Sequence, residues 1–230
     1  MNKMTESFID HLVEMGALGF GDYTLKSGRK SPFFVNIGRL TTGKSISMLA
    51  AAYSDVIMSK FCDENGKPQF DVLYGPAYKG IPIAAATVFE LYETYEIDVV
   101  YAANRKEAKD HGEQGMIVGG PILKGAKVLI VEDVTTSGKS IAESMEVLST
   151  VEGGVEVIGE IVALDRQEKA LDSEKFALDA ISEEYGFPVI PVVTMADVVE
   201  HLYEKGDRKI ITEDIYQRIQ AYYAEYGGKK

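Results

Sequence analysis

Residues 127–140, KVLIVEDVTTSGKS, constrain this chain more than any other stretch. Four consecutive apolar residues, Val128, Leu129, Ile130 and Val131, run directly into two carboxylates, Glu132 and Asp133. A loop of small and hydroxyl-bearing residues follows (Val134, Thr135, Thr136, Ser137, Gly138), and Lys139 and Ser140 open a helical pattern. An apolar run this short, bounded by turn residues, reads as a strand buried in a parallel sheet. In open α/β sheets, ligands bind where such strands end. Backbone N–H groups and hydroxyls in a loop that leads into a helix can cradle a phosphate. The two acids cannot serve that phosphate, because like charges repel; they suit sugar hydroxyls or a metal ion. An acid pair followed by a phosphate cradle describes a site for a ribose 5-phosphate.

The rest of the chain repeats the strand, loop, helix pattern. Strands are expected at 70–74, 98–102, 128–131, 155–164 and 189–193. Helices are expected at 5–15 (capped by Thr5 or Ser7), 45–61, 83–95, 140–151, 174–185, 196–205 and 213–226. Residues 23–37 alternate weakly around Ser27-Gly28 and read as a short hairpin. Strands alternating with helices imply a parallel α/β sheet. With 230 residues, no repeat and no linker, one domain is expected.

The net charge of −12 argues against nucleic acid and anionic membrane as partners. A single cysteine, Cys62, forbids an internal disulfide and suits a reducing cytoplasm; a structural thiol is its expected role. The N-terminus lacks the apolar core of a signal peptide, and no run approaches a membrane span. Against this acidic background the stretch NRKEAKDHG (104–112) stands out, with Arg105, Lys106, Lys109 and His111 close together and glycines at 112, 115, 119 and 120. A polar loop of this length inside a domain is either functional or disordered. Its cations can meet a pyrophosphate, and its glycines let it open and close.

A competing motif needs weighing. Residues 38–45, GRLTTGKS, fit G-x-x-x-x-G-K-[ST] letter for letter, which would make the chain a nucleotide phosphohydrolase or kinase that depends on Lys44. The strand before it includes Asn36 and follows the charged run KSGRK, so it is not clearly buried on both faces. The GKS at 138–140 shows how readily the triplet arises at helix starts, since Asp133 occupies the position where the upstream glycine would stand.

The 127–140 segment resembles the PRPP-binding signature of the type I phosphoribosyltransferases. Four further segments, in consistent order, are similar to the orotate-using branch of that family: YTLKSGRKSPFFVNIG (23–38), YGPAYKGIP (74–82), NRKEAKDHGE (104–113) and LDRQE (164–168). The resemblance passes through 38–45, where the family has a loop into a helix and no nucleotide site. It implies a type I phosphoribosyltransferase fold over 1–230, a central, mostly parallel sheet flanked by helices. A small N-terminal hood would cover about 1–40 and the core about 41–230. The implied reaction moves ribose 5-phosphate from PRPP to N1 of orotate, giving orotidine 5′-monophosphate and pyrophosphate with Mg²⁺, in de novo pyrimidine biosynthesis.

The resemblance also implies roles. Val134, Thr135, Thr136, Ser137, Gly138, Lys139 and Ser140 hold the 5-phosphate, and Glu132 and Asp133 bind the ribose hydroxyls or lie near the metal. Glu132 is a mild departure from the two aspartates common in the family. The metal is bound mainly through PRPP. Lys26, Tyr78, Lys79, Arg105, Lys106, Lys109 and His111 contact PRPP, with Lys109, Asp133, Arg105 and His111 as the catalytic set. The Lys109 loop reaches across a homodimer interface. Phe34, Val35, Thr136 and Arg166 meet orotate, Arg166 through two parallel N–H bonds to its carboxylate. From the residues alone, Arg166 could instead pair with Asp165. A PRPP sensor without catalysis and a purine-specific transferase are the other readings of this fold; the former would lose the basic loop, and the latter would not call for Lys26, Phe34 and Arg166 together.

Overall fold

The computed structural model describes residues 1–25, 28–109, 115–135, 138–171, 173–206 and 209–229, with the backbone alone at 108 and 109. In chain order the elements are α1 (Lys3–Glu14), β1 (Leu18–Thr24), β2 (Lys30–Val35), α2 (Gly43–Lys60), β3 (Val72–Gly75) and α3 (Gly80–Tyr95). There follow β4 (Val100–Lys109), β5 (Gly115–Gly119), β6 (Lys127–Glu132), α4 (Lys139–Leu148) and β7 (Glu156–Asp165). The chain ends with α5 (Ala177–Tyr185), β8 (Val189–Thr194), α6 (Met195–Val199) and α7 (Glu213–Tyr226).

The strand order in the main sheet is β5-β4-β3-β6-β7-β8. Neighbours are parallel except β5, which pairs antiparallel with β4 at one edge. Successive side chains on a strand point to opposite faces, so a strand that is apolar throughout feeds two cores. Leu73, Leu129, Val131, Ile161 and Ala163 join Tyr53 and Ile57 of α2 and Ile83 and Leu91 of α3. On the opposite face Val72, Tyr74, Val128 and Ile130 pack with Leu148 of α4, while Val162 packs with Ile141 of α4 and Ile181 of α5. β1 and β2 make a separate antiparallel pair. Phe33 of β2 is fully buried, with the Tyr222 ring of α7 edge-on at 5.6 Å.

The strand order positions the site. The sheet starts at β3, lays β4 on one side and returns to lay β6 on the other. The connections leaving β3 and β6 therefore part from each other, and a crevice opens at this reversal. Register levels the two strands, with Tyr74 beside Ile130. Among the described residues, no helix is long and apolar enough to cross a membrane.

Several expected elements shift. Where a polar loop was expected at 104–120, the described residues are largely strand: β4 continues to Lys109 and β5 pairs antiparallel with it, because backbone pairing is indifferent to the charge of the side chains it carries. Asn2, not Thr5 or Ser7, caps α1, its side-chain oxygen accepting from Thr5 N–H at 2.8 Å. The helix expected at 174–185 begins three residues later, since Lys169 and Phe176 form a bridge first. The helix expected at 196–205 passes from α6 into a π-helical turn, Glu200–Glu204. The P-loop reading fails on geometry: β2 lies outside the parallel sheet, Ile37–Arg39 form a 3-10 turn, and Thr42 caps α2. Lys44 is exposed and lies 3.6 Å from Glu14.

Glu160 of β7 is fully buried, and neither carboxyl oxygen has a hydrogen-bond partner among the described residues. Burial, with Glu132 nearby, pushes its pKa well above the ordinary carboxylate value. The folded protein therefore holds a proton that the unfolded chain sheds, so stability falls as pH rises through and beyond the ordinary carboxylate range. Glu160→Met, close in volume, is expected to stabilise the fold by about 1–3 kcal/mol at neutral pH. The gain should be larger at about pH 8 than at about pH 5, measured by thermal melting; an equal gain at both would count against a buried carboxyl with a raised pKa.

Candidate active site

Asp133 and Lys79 meet across the crevice. Lys79 leaves β3 in the segment GPAYKG, Asp133 follows β6, and Lys79 Nζ donates to Asp133 Oδ2. This tight turn needs glycines at its ends. A Cβ on Gly75 would stand 2.1 Å from the Gly80 carbonyl oxygen, and one on Gly80 would stand 2.8 Å from that of Val131. The Ala77–Tyr78 peptide is cis, and Tyr78 is exposed. Asn104, buried midway along β4 where its pairing with β3 ends, accepts from Ala77 N–H at 2.8 Å through Oδ1. It ties the root of the basic hairpin to the Tyr78–Lys79 segment. No motif pointed to Asn104, although an asparagine at the end of an apolar strand was a usable signal.

Glu132 and Asp133 are both buried. Glu132 Oε1 accepts from Asp133 N–H at 2.9 Å, and burial, with Asp133 beside it, raises the Glu132 pKa. Tyr53 of α2 donates to the Glu132 carbonyl oxygen at 2.5 Å, which pins the end of β6 from below. Thr135 is buried, Gly138 takes a left-handed conformation (φ 67°) that glycine tolerates, and Lys139 and Ser140 open α4. Among the described residues no group of three His, Cys, Asp or Glu could hold a metal ion. Two adjacent carboxylates, one of them paired with Lys79, fit a Mg²⁺ that takes most of its oxygens from substrate and water.

A cavity of about 540 Å³ brings the expected phosphate and base residues together: Phe34, Val35, Lys79, Val134, Thr135 and Arg166 all line it. Alternation on β2 sends Phe33 into the core and leaves Phe34 half-buried, stacked on Tyr23 at 5.4 Å. Asp165 lines the cavity too, its pKa pushed up to about 6 by burial. Arg166 does not pair with Asp165, whose Oδ1 instead accepts from Gln167 N–H at 2.7 Å. Its partner is Glu168, two residues on, at 2.5 Å.

Other expected residues lie apart from this cavity. Lys106 binds Glu143 of α4 at 2.6 Å and, through that hydrogen bond, lowers the Glu143 pKa. Lys139 is exposed and lies 3.9 Å from Glu143. Arg105 is half-buried on β4. Lys26, His111, Thr136 and Ser137 lie outside the described residues, as does the side chain of Lys109.

The chain has clear relatives. Residues 48–212 match the phosphoribosyl transferase domain family. Over 231 residues the chain is 45% identical to the orotate phosphoribosyltransferase of Clostridium botulinum (strain Alaska E43 / Type E3), with 100% of both chains covered. It is 40% identical to that of Bifidobacterium longum (strain NCC 2705), covering 97% of this chain and 98% of the other. The crystal structure of orotate phosphoribosyltransferase from Francisella tularensis superposes with a TM-score of 0.82 at 35% identity, covering 96% of this chain and 100% of that one.

Proposed function

Because this chain belongs to the orotate phosphoribosyltransferases, within the phosphoribosyl transferase domain family, we propose that the crevice between β3 and β6 is where it joins PRPP to orotate. The C1′–O bond to pyrophosphate breaks, the N1–C1′ bond forms in place of N1–H, whose proton is released, and orotidine 5′-monophosphate and pyrophosphate leave, as a step of pyrimidine biosynthesis. The observation that carries this reading is the single cavity shared by Arg166, Phe34, Lys79 and Thr135.

The roles below belong to the same reading and rest on the family resemblance together with the cavity. The 134–140 segment receives the 5-phosphate at the start of α4. Asp133 accepts from ribose hydroxyls, and Glu132 stands behind it. In the free enzyme Lys79 neutralises Asp133. The arriving pyrophosphate draws Lys79 away and releases that carboxylate to the sugar. As pyrophosphate departs, positive charge grows at C1′ and negative charge on the leaving oxygens. Tyr78, Lys79, Arg105, Lys106, Lys109, His111 and Lys26 gather around that negative charge. Mg²⁺, carried in by PRPP, would supply Lewis-acid neutralisation of the same oxygens. Arg166 pairs with the orotate carboxylate, Phe34 faces the ring, the backbone of Phe34 and Val35 reads its edge, and Thr136 touches the base. The fold suits one domain, since α1 and β2 share a hydrophobic cluster with the main sheet, and a cytoplasmic setting suits the free thiol of Cys62.

The active unit is a homodimer in which the β4–β5 hairpin serves the neighbouring site. Phe89 and Tyr92 of α3 are 66% and 57% exposed, an apolar surface that a second copy would cover. Mixing Lys109→Ala and Arg166→Ala chains tests this arrangement. If Lys109 acts across the interface, mixed dimers contain one intact site, and random assortment restores about a quarter of wild-type activity. Failure to restore activity would place Lys109 in its own subunit's site.

A further inference from the structure

We propose that Glu168 is a positioning residue for base recognition: its carboxylate, fastened by Tyr222 of α7, sets which end of the Arg166 guanidinium meets the substrate carboxylate. This rests on the reading of Arg166 given above. The Arg166 guanidinium carbon lies 4.5 Å from the centre of the Phe33 ring. Glu168 Oε1 accepts from both Arg166 Nε, at 2.8 Å, and Nη2, at 2.5 Å. That takes one lateral edge of the fork. Nη2 also reaches Ser31 Oγ at 3.4 Å, and Nη1 makes no hydrogen bond to a described residue. The end bearing Nη1 is left for a second carboxylate. The guanidinium is planar and rigid, so holding one edge fixes the direction of the other.

Glu168 is itself held. Tyr222 donates its hydroxyl to Glu168 Oε1 at 2.7 Å, and Arg29 Nη1 lies 3.9 Å from Oε2. The next residue of α7, Tyr223, donates to the Arg166 carbonyl oxygen at 2.7 Å. Adjacent tyrosines of one helix thus secure the backbone of Arg166 and the carboxylate that orients its side chain. Charge adds selectivity. Arg29, Lys79, Arg166 and Lys169 line the cavity against Asp165 and Glu168, so positive charge is in excess there and a ring bearing one carboxylate offsets it. An uncharged ring would leave that charge unpaired in a buried site.

Steady-state kinetics of the full chain, varying orotate and PRPP separately, test the proposal. Glu168→Ala is expected to raise the orotate KM about tenfold or more, while kcat at saturating orotate and the PRPP KM move by less than about threefold. Glu168→Gln keeps an acceptor oxygen in place and should recover most of that loss. Tyr222→Phe should raise the same constant by a smaller factor. A role confined to folding would instead lower the melting temperature and shift kcat and both KM values together, and that pattern would overturn the proposal. If Glu168→Ala leaves the orotate KM within about twofold while Arg166→Lys raises it, the positioning role is wrong and the Arg166 reading stands. If neither variant moves it, the Arg166 reading fails as well. Should Glu168→Ala not fold, Tyr222→Phe decides, and an unchanged orotate KM there overturns the proposal.

Discussion

Lys109→Ala is expected to lower kcat by about two to three orders of magnitude while orotate binding changes little. The course of the β4 backbone supports the proposed role of this lysine in chemistry over one in holding the base. β4 pairs with β3 only as far as Ala103, and from Asn104 onward it runs with β5 as a ribbon beyond the carboxyl end of β3. That is the side on which Lys79 and Asp133 meet. In the reading proposed above, a cation carried on this ribbon meets the pyrophosphate, whose negative charge grows as the bond breaks. Its contribution is therefore made mainly in the transition state, which puts the loss in kcat. Stopped-flow or steady-state turnover with saturating substrates checks this, and unchanged turnover would remove Lys109 from the catalytic set.

Arg166→Ala should act on the other substrate. Loss of a charge-assisted, two-pronged contact with the orotate carboxylate is expected to lower kcat/KM for orotate about a hundredfold to a thousandfold. The PRPP KM should change by less than about threefold, because the hydrogen bonds of the Arg166 side chain go to Glu168 and Ser31 and none goes to the described phosphate loop or to the Lys79 segment. The variant also leaves Glu168 without its main partner at a site where both side chains are about 10% exposed. Breaking a buried pair costs about 3–5 kcal/mol, so a lower melting temperature is expected alongside the kinetic defect. Arg166→Lys, which retains charge but not the fork, should fall between wild type and alanine in both respects. Equal loss for orotate and PRPP in either variant would show that Arg166 supports the site as a whole and not the base.

Elements whose signal is local could be read from the sequence. β6, the acids after it and the start of α4 stood out because apolar run, charge and small residues follow each other within fourteen residues, and the fold places them at the sheet's reversal. α7 was legible for the same reason, and so in part was the pairing of β1 with β2, expected within 23–37 and observed with β1 beginning at Leu18. Elements whose signal depends on distant partners were not. Residues 104–109 carry too much charge to look like a strand, yet β5 supplies their backbone bonds. Asp165 was the alternative partner for Arg166 because it is adjacent, but β7 ends at Asp165, and beyond that end Arg166 meets Glu168 instead. The Lys79–Asp133 pair joins residues 54 positions apart, and Tyr222 reaches Glu168 over the same separation. No periodicity or spacing rule encodes such contacts.

The most direct test is acceptor choice. Purified protein is given PRPP and Mg²⁺ with orotate, uracil or hypoxanthine in parallel, and loss of each base is followed by absorbance. Uracil is the same ring without the carboxylate, so it isolates the part played by Arg166 and the charge beside it. The expected result is PRPP-dependent loss of orotate, with pyrophosphate released in equal amount and no comparable turnover of uracil or hypoxanthine. Turnover of uracil at a rate close to that of orotate would contradict recognition through the carboxylate, and turnover of hypoxanthine alone would contradict the assignment of this crevice to orotate.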